Sequence, residues 1–242
     1  MKIIRLTETE STNSHAIKMI AKNRSTESCA VVANYQTNGK GLGANFWESE
    51  RDKNLTFSIV LHPDFAADQQ FFLNKAISLG IRDFLQSEMS ISEIAIKWPN
   101  DIYVSDKKIC GILIQNSLVG TSFDYSVVGI GLNVNQTRFL SDAPNPVSMK
   151  MITGIEYNLD DLLTKLLQSI NKWYGRVKTE PQKVEAAYKK ALYRLMEWHD
   201  YEIKGSRIGA RITGTNEYGQ LLIETDAGPI IICDLKEVKF LL

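Results

Sequence analysis

The sequence predicts an α+β fold: a mixed β-sheet packed with helices, followed by a small all-β unit. Three observations carry this reading. Short apolar runs bounded by turn residues recur between positions 3 and 130, as strands do. Other segments place apolar residues at helical spacing and so predict amphipathic helices. After about Glu197 the helical pattern stops, and short β segments alternate with turns to the end of the sequence. The division is therefore expected between residues 1–196 and 197–242. With 242 residues, 44% hydrophobic and 23% charged, the chain has ample material for a core.

Residues 3–6 are the first strand candidate. Thr9-Glu10-Ser11-Thr12-Asn13 then leads into a helix whose apolar stripe is Ala16, Ile17, Ile20 and Ala21. Residues 29–34 are β-rich and run into the glycine-containing stretch from Tyr35 to Gly43. Residues 55–61 alternate as a strand. The stripe of Phe72, Leu73, Ala76, Ile77, Leu79, Gly80 and Phe84 predicts a helix over 71–85. Residues 94–96, 102–104, 109–114 and 125–130 form a run of strands joined by short turns, one of them Asp106-Lys107-Lys108. Helices are predicted at 159–173, where Asp160 and Asp161 suit the positive end of the dipole, and at 181–195, opened by Pro181. The tail turns at Lys204-Gly205-Ser206, Asn216-Glu217-Tyr218-Gly219 and Asp226-Ala227-Gly228-Pro229, and its strands suggest a small barrel packed on the larger unit. There is no internal repeat.

Whole-chain properties narrow the function. Twenty-eight basic residues balance 28 acidic ones, which argues against a nucleic-acid or membrane-surface partner. Cys29, Cys110 and Cys233 are far apart and lack metal-ligand spacing, so they read as buried hydrophobes in a reducing compartment. The first residues have no signal-peptide core, and no apolar run reaches the length of a membrane span. A soluble cytoplasmic protein is expected.

Lys97-Trp98-Pro99-Asn100-Asp101, followed by Lys108-Ile109-Cys110-Gly111-Ile112-Leu113, is the most informative stretch. Pro99 cannot donate to a sheet ladder, and a glycine inside an apolar run weakens a strand unless a backbone or ligand must approach closely. Two cations, an amide and a carboxylate beside such a glycine suit an anionic substrate. The competing reading is a hairpin with a solvated basic turn. Gly39-Lys40-Gly41-Leu42-Gly43-Ala44 matches the letters of a dinucleotide fingerprint, but no helix follows it, and the phosphate-loop spacing is absent. Its glycines expose backbone N–H groups beside the Lys40 charge, which suits a phosphate or carboxylate, or else it is a flexible strand connection. In Gly129-Ile130-Gly131-Leu132-Asn133-Val134-Asn135 the asparagines can read a purine or ribose edge, or merely end the strand through Asx turns. Ser11-Thr12-Asn13 can cap a helix or read a ureido or amide group. Lys236-Glu237-Val238-Lys239 reads as a solvated face, and Trp47 and Trp98 as core or stacking surface.

Taken in this order, Glu10-Ser11-Thr12-Asn13, Gln36 through Trp47, the Lys97–Asp101 and Lys108–Leu113 motifs, Gly129–Asn133 and the β tail resemble the biotin protein ligases. The resemblance spans nearly the whole chain. It implies a catalytic domain like that of class II aminoacyl-tRNA synthetases, with an SH3-like C-terminal barrel. It also implies the reaction: biotin and ATP, with Mg²⁺, give biotinyl-5′-AMP and pyrophosphate, and the biotinyl group then passes to a lysine of the biotin carboxyl carrier domain of a carboxylase. By resemblance, Lys108, Lys40 and Asp101 are catalytic. Lys108 touches both the biotin carboxylate and the α-phosphate, and Asp101 orients or deprotonates the incoming lysine. Ser11, Thr12, Asn13, Gln36, Gly39, Lys40, Gly41, Leu42, Lys108 and Gly111 bind biotin. Lys40, Trp47, Lys97, Asn100 and Asn133 bind the nucleotide, with Asn100, Asp101 and Asn133 serving its Mg²⁺. No metal site of the protein's own is expected. The chemistry agrees, because a carboxylate attacking a phosphate needs positive charge placed between two anions.

Two departures stand out. Lys40 replaces the usual arginine after the loop's first glycine and keeps the charge without the bidentate fork. Leu42 replaces a second arginine, so weaker retention of biotinyl-AMP is expected. The motifs begin about ten residues into the sequence, so a preceding DNA-binding domain is not expected; monomer and homodimer both remain open. The alternatives are lipoate or octanoate ligation on a related fold, or a non-catalytic biotin-sensing module.

Overall fold

The computed structural model describes residues 1–23, 27–43, 45–141, 145–226 and 228–241. Ala44 and Ala227, each part of a motif named above, lie outside the described residues. A seven-stranded mixed sheet is built from β1 (Lys2–Leu6), β2 (Cys29–Ala33), β3 (Leu55–Leu61), β4 (Ile94–Lys97), β5 (Asp101–Val104), β6 (Lys107–Val119) and β7 (Ser122–Leu132). Its order is β1-β2-β3-β7-β6-β5-β4, with only β1 and β2 parallel. Strand parity sorts the side chains, because successive residues face opposite sides. Phe57, Ile59, Ile102, Ile112, Val128 and Ile130 face the main core, where helices α2 (Phe71–Met89), α4 (Leu159–Thr179) and α5 (Pro181–Ala191) cover the sheet. Gly80 of α2 lets α4 close in, since a Cβ there would lie 2.6 Å from the Cα of Ile170. The opposite face is covered only in part, by α1 (Thr12–Asn23), whose Ala16 and Ile20 pack on Val31, Val60 and Val127. The remainder of that face is free to line a cavity.

The five tail strands are β8 (Trp198–Ile203), β9 (Ser206–Thr215), β10 (Leu221–Thr225), β11 (Ile230–Cys233) and β12 (Val238–Phe240), in the antiparallel order β11-β10-β9-β8-β12. The β8–β9 turn, Lys204-Gly205, has positive φ at both residues, as a two-residue hairpin requires. This sheet is seated on the larger unit: the Trp98 indole donates to the Gly219 carbonyl at 2.8 Å, and Arg194 to the Leu241 carbonyl at 2.9 Å. No helix among the described residues is long and apolar enough to cross a membrane.

Two expected boundaries differ near the site, and one helix is additional. The helix expected to reach residue 195 stops at Ala191, because Leu192 turns extended (φ −62°, ψ 132°) and bridges to Ile96. The turn after Val104 is Ser105-Asp106, and Lys107 and Lys108 already belong to β6. A short helix α3 (Met149–Thr153), capped by the Ser148 hydroxyl, was not foreseen in the sequence pattern.

Candidate active site

Strand register draws a line of residues across the uncovered face. Thr56 pairs with Gly131, Gly131 with Gly111, Gly111 with Asp101, and Asp101 with Lys97, so five strands contribute one residue each to a single row. A parallel row holds Ser58, Gly129 and Leu113. Lys108 reaches this face through a β-bulge. By simple alternation it would share the parity of core residues Cys110 and Ile112. The register shift opposite Ile102 and Tyr103 instead pairs Lys108 with Tyr103 and leaves both Ile109 and Cys110 buried. The Lys108 ammonium then lies 2.7 Å from Asp101 Oδ1.

The glycines of these rows serve close approach. A Cβ on Gly131 would sit 2.5 Å from Trp47 Nε1 and 2.7 Å from its Cδ2, and one on Gly111 would meet Trp47 Cζ3 at 3.0 Å. The Trp47 indole therefore lies flat on a two-glycine floor, with the Lys108 ammonium 5.6 Å from its ring centre. Gly129 gives the same clearance to the amide of Asn13, whose Cγ would be 2.9 Å from a Cβ. Trp47 is delivered by a tight loop in which Gly41 N–H donates to the Asn45 carbonyl and Trp47 N–H to that of Gly39. Gly41's N–H is thus already used, while Lys40 and Leu42 line the cavity. The carboxylate of Glu48, next to Trp47, accepts from the N–H groups of Leu140 and Ser141 at 2.8 Å each. Burial alone would raise that carboxyl, but the hydrogen bonds from Ser141, Leu140 and Gln136 outweigh it and hold it below its ordinary value.

At the α1 end, the pocket is short of donors. Gln36 Oε1 accepts the Thr12 N–H at 2.8 Å, and Asn13 Nδ2 donates to the Leu113 carbonyl and Gln115, which fixes Asn13 Oδ1 as an acceptor. Three oxygen–oxygen contacts join these groups: Thr12 to Gln36 at 3.1 Å, Ser58 to Thr12 at 2.7 Å and Ser58 to Asn13 at 2.6 Å. Only the two hydroxyl hydrogens of Thr12 and Ser58 are available for them. A ligand bringing N–H groups would complete such a network.

Between this pocket and the tail sheet lies a cavity of about 590 Å³. Among the described residues, Lys40, Lys97, Lys108, Lys236 and Lys239 line it, against the single carboxylate of Asp101. Burial pushes the Lys97 ammonium below the usual lysine range, with Lys108 and Arg194 adding to the effect and Asp101 opposing it. Lys97 donates to the Tyr103 hydroxyl at 2.9 Å and lies 5.0 Å from the Phe240 ring centre. Burial, seconded by Asp101, raises the Tyr103 phenol well above its ordinary value, so it stays protonated. The arrangement can hold an anionic ligand among lysines in a partly desolvated site, where charge acts strongly.

Ser11, Thr12, Asn13, Gln36, Lys40, Gly41, Leu42, Trp47, Lys97, Asn100, Asp101, Lys108 and Gly111 all line this one cavity. Gly39 and Asn133 do not. Gly39 backs Trp47, and Asn133 donates to the Val147 carbonyl at 3.1 Å while its buried Oδ1 has no partner. Asn100 uses its Nδ2 on the Ile112 carbonyl at 2.6 Å. Sequence reasoning missed Ser58, whose only signal was strand parity, and the tail residues. The run from Lys236 to Lys239, read as a solvated face, is a cavity wall as well. Lys236 holds a left-handed φ of 74°, which is uncommon for a residue with a side chain.

Comparison with known proteins places this geometry. The model of the biotin/lipoate A/B protein ligase family matches residues 5–133, more than half of the chain. The chain is 26% identical to the bifunctional ligase/repressor BirA of Bacillus spizizenii, over 91% of this chain and 66% of that protein. To the biotin–[acetyl-CoA-carboxylase] ligase of Paracoccus denitrificans it is 29% identical, over 72% of this chain and 73% of that one. The chain thus spans just under two thirds of the length of the first of these relatives. Among solved structures, biotin protein ligase from Aquifex aeolicus in complex with biotin and ATP superposes with a TM-score of 0.81 at 26% identity, covering 98% of this chain and 97% of that one. Fold, site and match along the chain agree: this protein belongs to the biotin/lipoate A/B protein ligase family.

Proposed function

We propose that this chain is an ATP-dependent biotin protein ligase, with residues 1–196 as the catalytic unit and 197–242 as a β-sheet unit that closes the cavity. The observation that carries the reading is the bulge-directed Lys108 ammonium, set between the donor-poor pocket of Thr12, Asn13 and Gln36 and the lysine-lined space beyond. In this reading the ureido N–H groups of biotin supply the hydrogens that the Thr12–Ser58–Asn13 network lacks. The biotin tail follows the Trp47 indole, and its carboxylate ends at Lys108. Lys40 and Lys97 hold the nucleotide with Asn100, and Lys108 neutralises both the attacking carboxylate and the α-phosphate it meets. Pyrophosphate leaves as the C–O–P bond of biotinyl-AMP forms. Mg²⁺ enters with ATP as part of the substrate. Asp101 and the phosphates suffice for such an ion. In the second half-reaction a carrier-domain lysine replaces AMP.

The test is biotin-dependent exchange of labelled pyrophosphate into ATP, run beside lipoate as the competing acid, followed by weighing a carrier domain after incubation. Exchange with biotin, absent with lipoate and reduced about 100-fold or more by Lys108→Ala, is expected. Exchange driven by lipoate, or undiminished in Lys108→Ala, overturns the reading.

A further inference from the structure

Lys97 and Lys108 stand two strands apart on the active face and are held in opposite ways. The Lys108 ammonium is paired with Asp101 at 2.7 Å. Asp101 is also the ladder partner of Lys97, yet among the described residues no carboxylate forms an ion pair with Lys97. Its ammonium instead donates to the Tyr103 hydroxyl at 2.9 Å. It lies 4.7 Å from the centre of the Tyr103 ring and 5.0 Å from that of Phe240. Two aromatic rings therefore take the place of a counter-ion. Tyr103 is buried, with its ring centre 5.3 Å from that of Tyr193, and Tyr193 lies 6.2 Å from Phe240. The Tyr193 hydroxyl donates to Asp106, and Phe240 packs edge-on at 5.4 Å against Tyr201, its partner in the β8–β12 ladder. The four rings come from β5, the segment after α5, β8 and β12, so the seat forms only where the tail sheet meets the larger unit.

An ammonium has three N–H donors, and the Tyr103 hydroxyl takes one. The other two, with a charge that nothing has cancelled, are left for a ligand in the cavity that Lys97 lines. A carboxylate at the same place would neutralise that charge, whereas a ring steadies it and leaves it whole. A free lysine stem would lose rotamer freedom on meeting a ligand; a seated one has lost it already on folding. We propose that Tyr103 and Phe240 are positioning residues, which hold the Lys97 ammonium where it meets the phosphates of the nucleotide. The proposal rests on the ligase reading above and adds that part of the nucleotide affinity resides in two rings acting through Lys97.

Tyr103→Phe keeps the ring and removes the acceptor, while Phe240→Leu removes a ring and keeps an apolar side chain. Each variant is titrated by calorimetry with a non-hydrolysable ATP analogue and separately with biotin, beside urea unfolding to confirm the fold. Affinity for the analogue should fall about fivefold or more in each, with biotin affinity within about twofold of the natural protein and Phe240→Tyr restoring the loss. In a Lys97→Ala background neither substitution should weaken analogue binding further, because the group through which they act is gone. Unchanged analogue affinity in both variants overturns the proposal. So does a loss that persists without Lys97, or one shared equally by biotin, since either makes the rings a general support of the cavity. A natural protein that binds the analogue without biotin-dependent pyrophosphate exchange sinks the ligase reading, while the Lys97 cycle still decides the seat; no analogue binding at all overturns both.

Discussion

Gly131→Ala tests whether the Trp47 floor is what the site is built on. A new Cβ would lie 2.5 Å from Nε1 and 2.7 Å from Cδ2 of the indole, whereas ordinary contact begins at 3.4 Å. The ring must therefore rise by roughly 1 Å off the floor it shares with Gly111. The backbone cannot follow easily, because the Trp47 N–H is held by the Gly39 carbonyl at 2.9 Å. Overpacking of this kind costs about 1–3 kcal/mol. If the indole borders the biotin tail, that cost weakens biotin binding by roughly 5- to 150-fold. The backbone of Gly131 is not in the left-handed region, so alanine brings no strain of its own.

The decisive assay is a double-mutant cycle read by calorimetric biotin affinity and urea unfolding. In a Trp47→Ala background, Gly131→Ala should cost under about 0.5 kcal/mol, or stabilise slightly, because the clash has gone. A Gly131→Ala protein that binds biotin as the natural one does, or a penalty that persists without the indole, would refute the argument.

Leu42→Arg should slow release of biotinyl-AMP, measured by chasing labelled intermediate with unlabelled biotin and ATP; an equal or faster release counts against the loop's role. Glu48 anchors residues 140 and 141 as a carboxylate whose folded pKa lies below its ordinary value, so the anchor is intact above the normal carboxylate range and is lost as pH falls through the depressed value. Protection of the Leu140 and Ser141 amides, taken relative to their intrinsic exchange at each pH, should fall on acidification, and Glu48→Gln, which turns an N–H donor against one of theirs, should give the low protection at every pH. Ser58→Ala removes the donor 2.6 Å from Asn13 Oδ1 and should cost about 1–3 kcal/mol in urea unfolding; no change would mean that another group satisfies that oxygen. Lys236→Gly removes a cavity cation from a residue with φ of 74°, so stability should hold or rise by about 1 kcal/mol while the KM for ATP increases; an unchanged KM would take this lysine out of the nucleotide mouth.

What the sequence made legible was local. Pro181 and Asp160-Asp161 open α5 and α4 as expected, because a proline ring and first-turn carboxylates act within one helical turn. The end of α5 was misread because Leu192 and Leu195 continue the apolar spacing, while the chain leaves the helix to pair with Ile96, nearly a hundred residues away. β6 and β7 extend past the apolar runs, since from Gln115 onward their ladder is held by pairing alone and no alternation marks it. Gly111 announced a close approach, but the sequence could not say that a tryptophan would fill it or that Gly131 would share the floor. Lys236 and Lys239 look like any solvated pair until Trp98 docks the tail on the larger unit.

The bulge at Ile109 explains why the short motifs are strong signals in spite of this. Between Lys108 and Gly111 the chain must put two residues in the core and two on the active face, an arrangement that unbroken alternation cannot produce. The four-residue pattern of lysine, two buried side chains and a glycine thus encodes the register shift itself: the glycine lies opposite Asp101 in the row, and the lysine reaches the same carboxylate from two pairings further along. A local motif can therefore report a feature of the whole sheet. The part of the site supplied by the tail has no such compact encoding, because its lysines depend on how two sheets meet and not on one ladder.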